Sequence, residues 1–80
     1  MPQAARQSVD PVLKQFAARL IELRKQQGIS QERLAMDAGI GRSYLSGVER
    51  GLRNISLINI TKLAHALGIE PYLFLQRPGS

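Results

Sequence analysis

Apolar residues recur at helical spacing along most of the chain. After Asp10-Pro11 they fall at Leu13, Phe16, Ala17, Leu20, Ile21 and Leu23, with Lys14, Arg19, Glu22 and Lys25 largely on the other side. That spacing predicts an amphipathic helix. Asp10 can cap the free amides at its start, and Pro11 in the first helical position forfeits no hydrogen bond. Gly28 offers a left-handed stop. Ser30 caps a second, shorter helix from Gln31 to Ala38, with Leu34, Ala35 and Ala38 facing inward and Gly39 ending it. A third helix runs from about Arg42 to Arg50, buries Leu45 and Val48, and stops at Gly51. Leu52 to Ile55 reads as a loop. Ser56 caps a fourth helix, with Leu57, Ile60, Leu63, Ala64 and Leu67 inside and Gly68 as its stop. Glu70-Pro71 starts a final short helix carrying Leu73 and Phe74. Start and stop signals agree over five helices, and no segment alternates with period two for long enough to argue a sheet. The expectation is an all-α, compact five-helix domain over residues 10–76, after a flexible lead-in at 1–9 and before a tail at 77–80.

Composition narrows what such a domain can do. A chain of 80 residues holds one small domain. At that size folding buries only about 60% of the surface the unfolded chain exposes, so a deep substrate pocket with its supporting shell is hard to fit. The absence of cysteine excludes disulfides, thiolate metal sites and cysteine nucleophiles. One histidine, His65, rules out a site that needs two imidazoles and reads as a packing or surface residue. The six acids are scattered, and Gly39-Ile40-Gly41 lacks the lysine and hydroxyl of a phosphate-binding loop. No enzyme activity, cofactor, metal or small-molecule ligand is expected. The longest apolar run, Tyr72 to Leu75, is far short of the roughly 20 residues that span a membrane. The N-terminus lacks the apolar stretch of a secretory signal. A soluble cytoplasmic protein without membrane contact is expected. Eleven Lys and Arg against six Asp and Glu give a net charge of +5, a balance that attracts polyanions.

The candidate chemistry lies in the middle. Between Ser30 and Gly51, two short helices are joined by a tight turn containing glycine. Small Ala35 lets them approach closely, Ile40 plugs the turn, and Leu45 and Val48 anchor the second helix. This is a helix-turn-helix pattern. Arg42, Ser43, Ser46 and Gly47 lie off the apolar stripe of its second helix. Such polar or small groups suit a major groove, and arginine matches the O6 and N7 acceptors of guanine.

From Phe16 to Phe74, about three quarters of the chain, the sequence resembles the phage-repressor/Cro, or Xre, helix-turn-helix family. The run Arg42-Ser43-Tyr44-Leu45-Ser46-Gly47-Val48-Glu49-Arg50-Gly51, followed by Arg53-Asn54, is similar to the small controller proteins of bacterial restriction–modification systems. The resemblance implies a repressor/Cro-like fold with the motif on helices two and three. It implies double-stranded DNA as partner and a homodimer reading a pseudo-palindromic operator. Carried over by position, Arg42, Ser43 and Ser46 would face bases, and Tyr44, placed with them as a base contact, would reach the bases or the sugar-phosphate. Gln31, Arg50, Arg53 and Asn54 would grip phosphates. Arg24 and Glu49 would form a buried structural pair bridging helices one and three. Two positions depart from the family. Gly41 stands where many relatives carry a stronger helix cap, and Gly47 where phage relatives often place a base-reading glutamine.

Ile58, Tyr72, Leu73 and Phe74 are candidates for the dimer face; the other reading of the final helix is that it caps the monomer core. An alternative function is that of an antitoxin-like interaction module that neutralises a toxin partner, with DNA binding secondary.

Overall fold

The computed structural model describes residues 10–79, so the expected lead-in at 1–9 and the last residue, Ser80, lie outside the described residues. The elements are α1 (Pro11–Gln26), α2 (Gln31–Ala38), α3 (Arg42–Glu49), α4 (Leu57–Leu67) and a 3-10 segment, Pro71–Leu75. Local chemistry sets the boundaries. Asp10 accepts from the Val12 amide at 2.9 Å, Ser30 from that of Arg33 at 3.0 Å and Ser56 from that of Asn59 at 3.1 Å. Each bond satisfies an amide that the helix leaves without a partner. Gly39 and Gly68 end α2 and α4 in the left-handed region, at φ of 71° and 68°.

The inward faces meet in one core. Phe16, Leu20 and Leu23 come from α1, Leu34, Ala35 and Ala38 from α2, and Leu45 and Val48 from α3. Leu63, Ala64 and Leu67 of α4 complete it with Phe74 of the 3-10 segment. Ile40 packs against this core from the turn between α2 and α3. The two motif helices are thus held against α1 and α4, and the outer face of α3 is left to solvent. No helix among the described residues is long and apolar enough to cross a membrane.

Several expectations are corrected. The fifth helix is a 3-10 segment, closed by bonds from the Leu73 amide to the Glu70 carbonyl and from Gln76 to Leu73. Five residues are too few to repay α-helix nucleation. Phe74 does not belong to a dimer face, because it is wholly buried in the monomer core against Phe16 at 5.4 Å. Leu73 is half-buried against the same core, which leaves Ile58 and Tyr72 exposed, together with Leu57 and Leu75. Leu57, expected inside, is the first residue of α4 and 81% exposed.

Arg19 also departs from its expected solvent position and is buried. Its Nε donates to the Leu73 carbonyl at 2.9 Å, one Nη to Gln76 at 3.0 Å and the other to Glu22 at 2.9 Å. The 3-10 segment uses too few of its own carbonyls, and a guanidinium supplies donors in a fixed fork. Glu22 in turn accepts from the Gly79 amide at 3.0 Å, so the expected tail touches α1 at that point. The Gly79 amide, and then the Arg19 guanidinium, hold the Glu22 carboxyl below its ordinary range.

Candidate nucleic-acid interface

The orientation of α3 is set from beneath by Glu49. Its carboxylate receives Nε and Nη2 of Arg24 at 2.8 and 2.9 Å, a bidentate pair with both side chains nearly buried. Arg24 also donates to the Ile29 carbonyl at 3.0 Å, and Gln31 Nε2 donates to Glu49 at 3.0 Å. One carboxylate therefore ties α1, α2 and α3 together. It is the sole acid of α3, and the Arg24 guanidinium neutralises it on the inner side, so the outer face carries no negative charge.

That outer face holds an open depression of about 440 Å³, lined by Gln31, Arg42, Ser43, Ser46 and Arg50. Arg42 and Arg50 are exposed, and neither has a carboxylate within ion-pair distance among the described residues. Gln31 has one amide proton committed to Glu49, which pins it at the rim while its carbonyl and second proton stay available. Gly41 supplies no side-chain cap, so the first amides of α3 point outward without a side-chain partner. An uncapped helix start beside Arg42, with Arg50 at the far end of the same depression, suits a polyanion or a row of base acceptors.

A second cluster adjoins it. The Arg53 guanidinium carbon lies 5.3 Å from the centre of the Tyr44 ring, within cation–π range. The Tyr44 hydroxyl accepts from Asn59 Nδ2 of α4 at 3.1 Å. Gly47 makes this possible: a Cβ there would stand 2.5 Å from Arg53 Cγ and 3.3 Å from its Cδ. The glycine is a passage for the arginine stem, a role the sequence did not reveal. Gly47→Ala is expected to lift Arg53 off the ring. The helix gains roughly 1 kcal/mol of propensity and loses a cation–π contact of about 0.5–1 kcal/mol. The denaturation midpoint should thus barely move while the Tyr44 ring resonances shift, as paired denaturant titration and NMR spectra would show.

The expected site residues thus fall into two groups. Gln31, Arg42, Ser43, Ser46 and Arg50 share the depression. Tyr44 and Arg53 form the stacked pair, and exposed Asn54 follows in the loop. Asn59 was missed; its only signal was a polar residue amid the apolar positions of α4. No group of His, Asp or Glu among the described residues is arranged to hold a metal.

A helix-turn-helix family model matches residues 20–74. The chain belongs to the helix-turn-helix family. Within that family it is 49% identical over 53 residues to the control protein C.BamHI of Bacillus amyloliquefaciens, covering 66% of this chain and 64% of that protein. It therefore spans less than two thirds of that relative's length. The crystal structure of the restriction–modification controller protein C.AhdI from Aeromonas hydrophila superposes with a TM-score of 0.76 at 58% identity, covering 78% of this chain and 94% of that one. The controller protein C.Esp1396I, solved on a 19-base-pair DNA duplex, superposes with a TM-score of 0.76 at 26% identity over 81% of this chain and 87% of that one. The relatives named here are controllers.

Proposed function

We propose that the protein is a sequence-specific DNA-binding transcriptional regulator of the restriction–modification controller kind. The observation that carries this reading is the gathering of Arg42, Ser43, Ser46, Arg50 and Gln31 around one acid-free depression on the outer face of α3. Arg42, Ser43, Tyr44 and Ser46 are assigned to bases, and Gln31, Arg50, Arg53 and Asn54 to phosphates. α3 enters the major groove start first. One short helix reads only a few base pairs, so a homodimer on a two-fold operator doubles the site. Ile58 and Tyr72, with Leu57 and Leu75, are among the exposed apolar side chains and are assigned to that contact. The protein catalyses no reaction and works in the cytoplasm, where the operator is. Its likeness to controllers favours this reading over the toxin-neutralising one.

Two substitutions test the docking face. Arg42→Ala should lose about 1–3 kcal/mol on the preferred site and relax the preference at one base pair. Arg53→Ala should weaken binding to all sequences about equally and flatten the log–log salt slope by about one unit per contact. Fluorescence anisotropy on specific and random duplexes over a salt series reads both. Wild-type behaviour of both variants would place the interface elsewhere.

A further inference from the structure

The half-buried Asn59 sits on α4, outside the helix-turn-helix, yet donates to a residue of α3. A phenol hydroxyl carries one proton and accepting lone pairs, whereas an amide NH₂ only donates. When Asn59 Nδ2 donates to it, the Tyr44 proton has no use on that side. Among the described residues the Tyr44 hydroxyl donates to none. The proton is left for an acceptor outside the protein, and the ring beneath it is the surface on which Arg53 lies.

We propose that Asn59 is a positioning residue for DNA recognition. Its amide fixes the Tyr44 hydroxyl as an outward donor and steadies the ring that carries Arg53. The inference rests on the reading of α3 as the recognition helix. The acceptor is an oxygen or nitrogen of the DNA, either on a base edge or on a phosphate.

The variants are tested by anisotropy on the duplex recovered from a random pool by the wild-type protein. Asn59→Ala releases the hydroxyl and should weaken binding by about 2–10-fold, the effect of one hydrogen bond. Asn59→Asp has nearly the same shape but only accepts, so it turns the phenol proton inward and sets a negative charge beside the Tyr44 hydroxyl. It should weaken binding by more, on the order of tenfold or beyond. A double-mutant cycle separates positioning from general damage. In a Tyr44→Phe background, Asn59→Ala should change affinity by less than about twofold. Tyr44→Phe keeps the ring, so it serves even if an Asn59 variant folds poorly. A loss confined to one base-pair position identifies a base edge, and an equal loss on all duplexes identifies a phosphate. Either outcome supports the inference. It is overturned if Tyr44→Phe binds like wild type, or if Asn59→Ala costs as much without the hydroxyl as with it. If Arg42→Ala also has no effect, the docking reading itself has failed; if Arg42→Ala loses affinity while the Asn59 and Tyr44 variants do not, only this inference has.

Discussion

Glu49→Ala is expected to destabilise the domain by about 3–5 kcal/mol, because it strips a buried guanidinium of its counter-charge. Arg24 would lose both of its bonds to the carboxylate, at 2.8 and 2.9 Å, and keep only the Ile29 carbonyl. Gln31 would lose its anchor at the rim of the depression. For a domain of this size each kcal/mol is worth roughly 4–8 °C, so the melting temperature should fall by at least about 12 °C. Replacing both partners with apolar residues of similar volume, Arg24→Met with Glu49→Met, should recover much of the loss, since no charge is then left unpaired. DNA affinity should not recover with it, because Gln31 stays unanchored and α3 is no longer tied to α1. Thermal melts and binding curves on the same samples separate the two effects. A single substitution that costs under about 1 kcal/mol would mean that the pair is solvated, contrary to its burial.

Phe74→Ala should cost a similar amount, about 3–5 kcal/mol, by opening a cavity in the core. The ring is fully buried and tilts at 41° against Phe16, so its removal also forfeits an aromatic contact. The loss should appear as lowered monomer stability at any protein concentration. Tyr72→Ala offers the contrast. Tyr72 is 61% exposed, so its loss should leave the unfolding of an isolated chain nearly unchanged and weaken self-association instead. Denaturant unfolding at two protein concentrations, with sedimentation equilibrium, distinguishes these outcomes. Weakened association with unaltered unfolding in Phe74→Ala would contradict its place in the core.

Much of this architecture is legible before any coordinates. Ser30, Ser56, Gly39 and Gly68 are local signals, and each marks a helix end where expected. The core faces of α1 to α3 follow from periodicity, because the residues that pack are neighbours on one helix. What periodicity hides is contact between distant segments. Arg19 reads as solvent-facing by its charge, yet two of its three partners are Leu73 and Gln76, more than fifty positions away. Phe74 reads equally well as core or as interface, since a segment of five residues has no face of its own to decide. At the site, Arg42, Ser43, Ser46 and Arg50 are close in sequence, so their sharing one helix face follows from local spacing. Asn59 and the passage at Gly47 depend on how α4 and the loop after α3 fold back across α3, and no local pattern encodes that.

The proposed regulator uses α3 to read DNA as one half of a two-fold pair. Selection of bound duplexes from a random pool at near-physiological salt, followed by sequencing, tests it most directly. The expected result is a symmetric consensus whose half-site centres lie roughly 10–11 base pairs apart. On that duplex, about eight neutralised phosphates give a log–log salt slope near −7. Soluble, folded protein that enriches no sequence from the pool would contradict it.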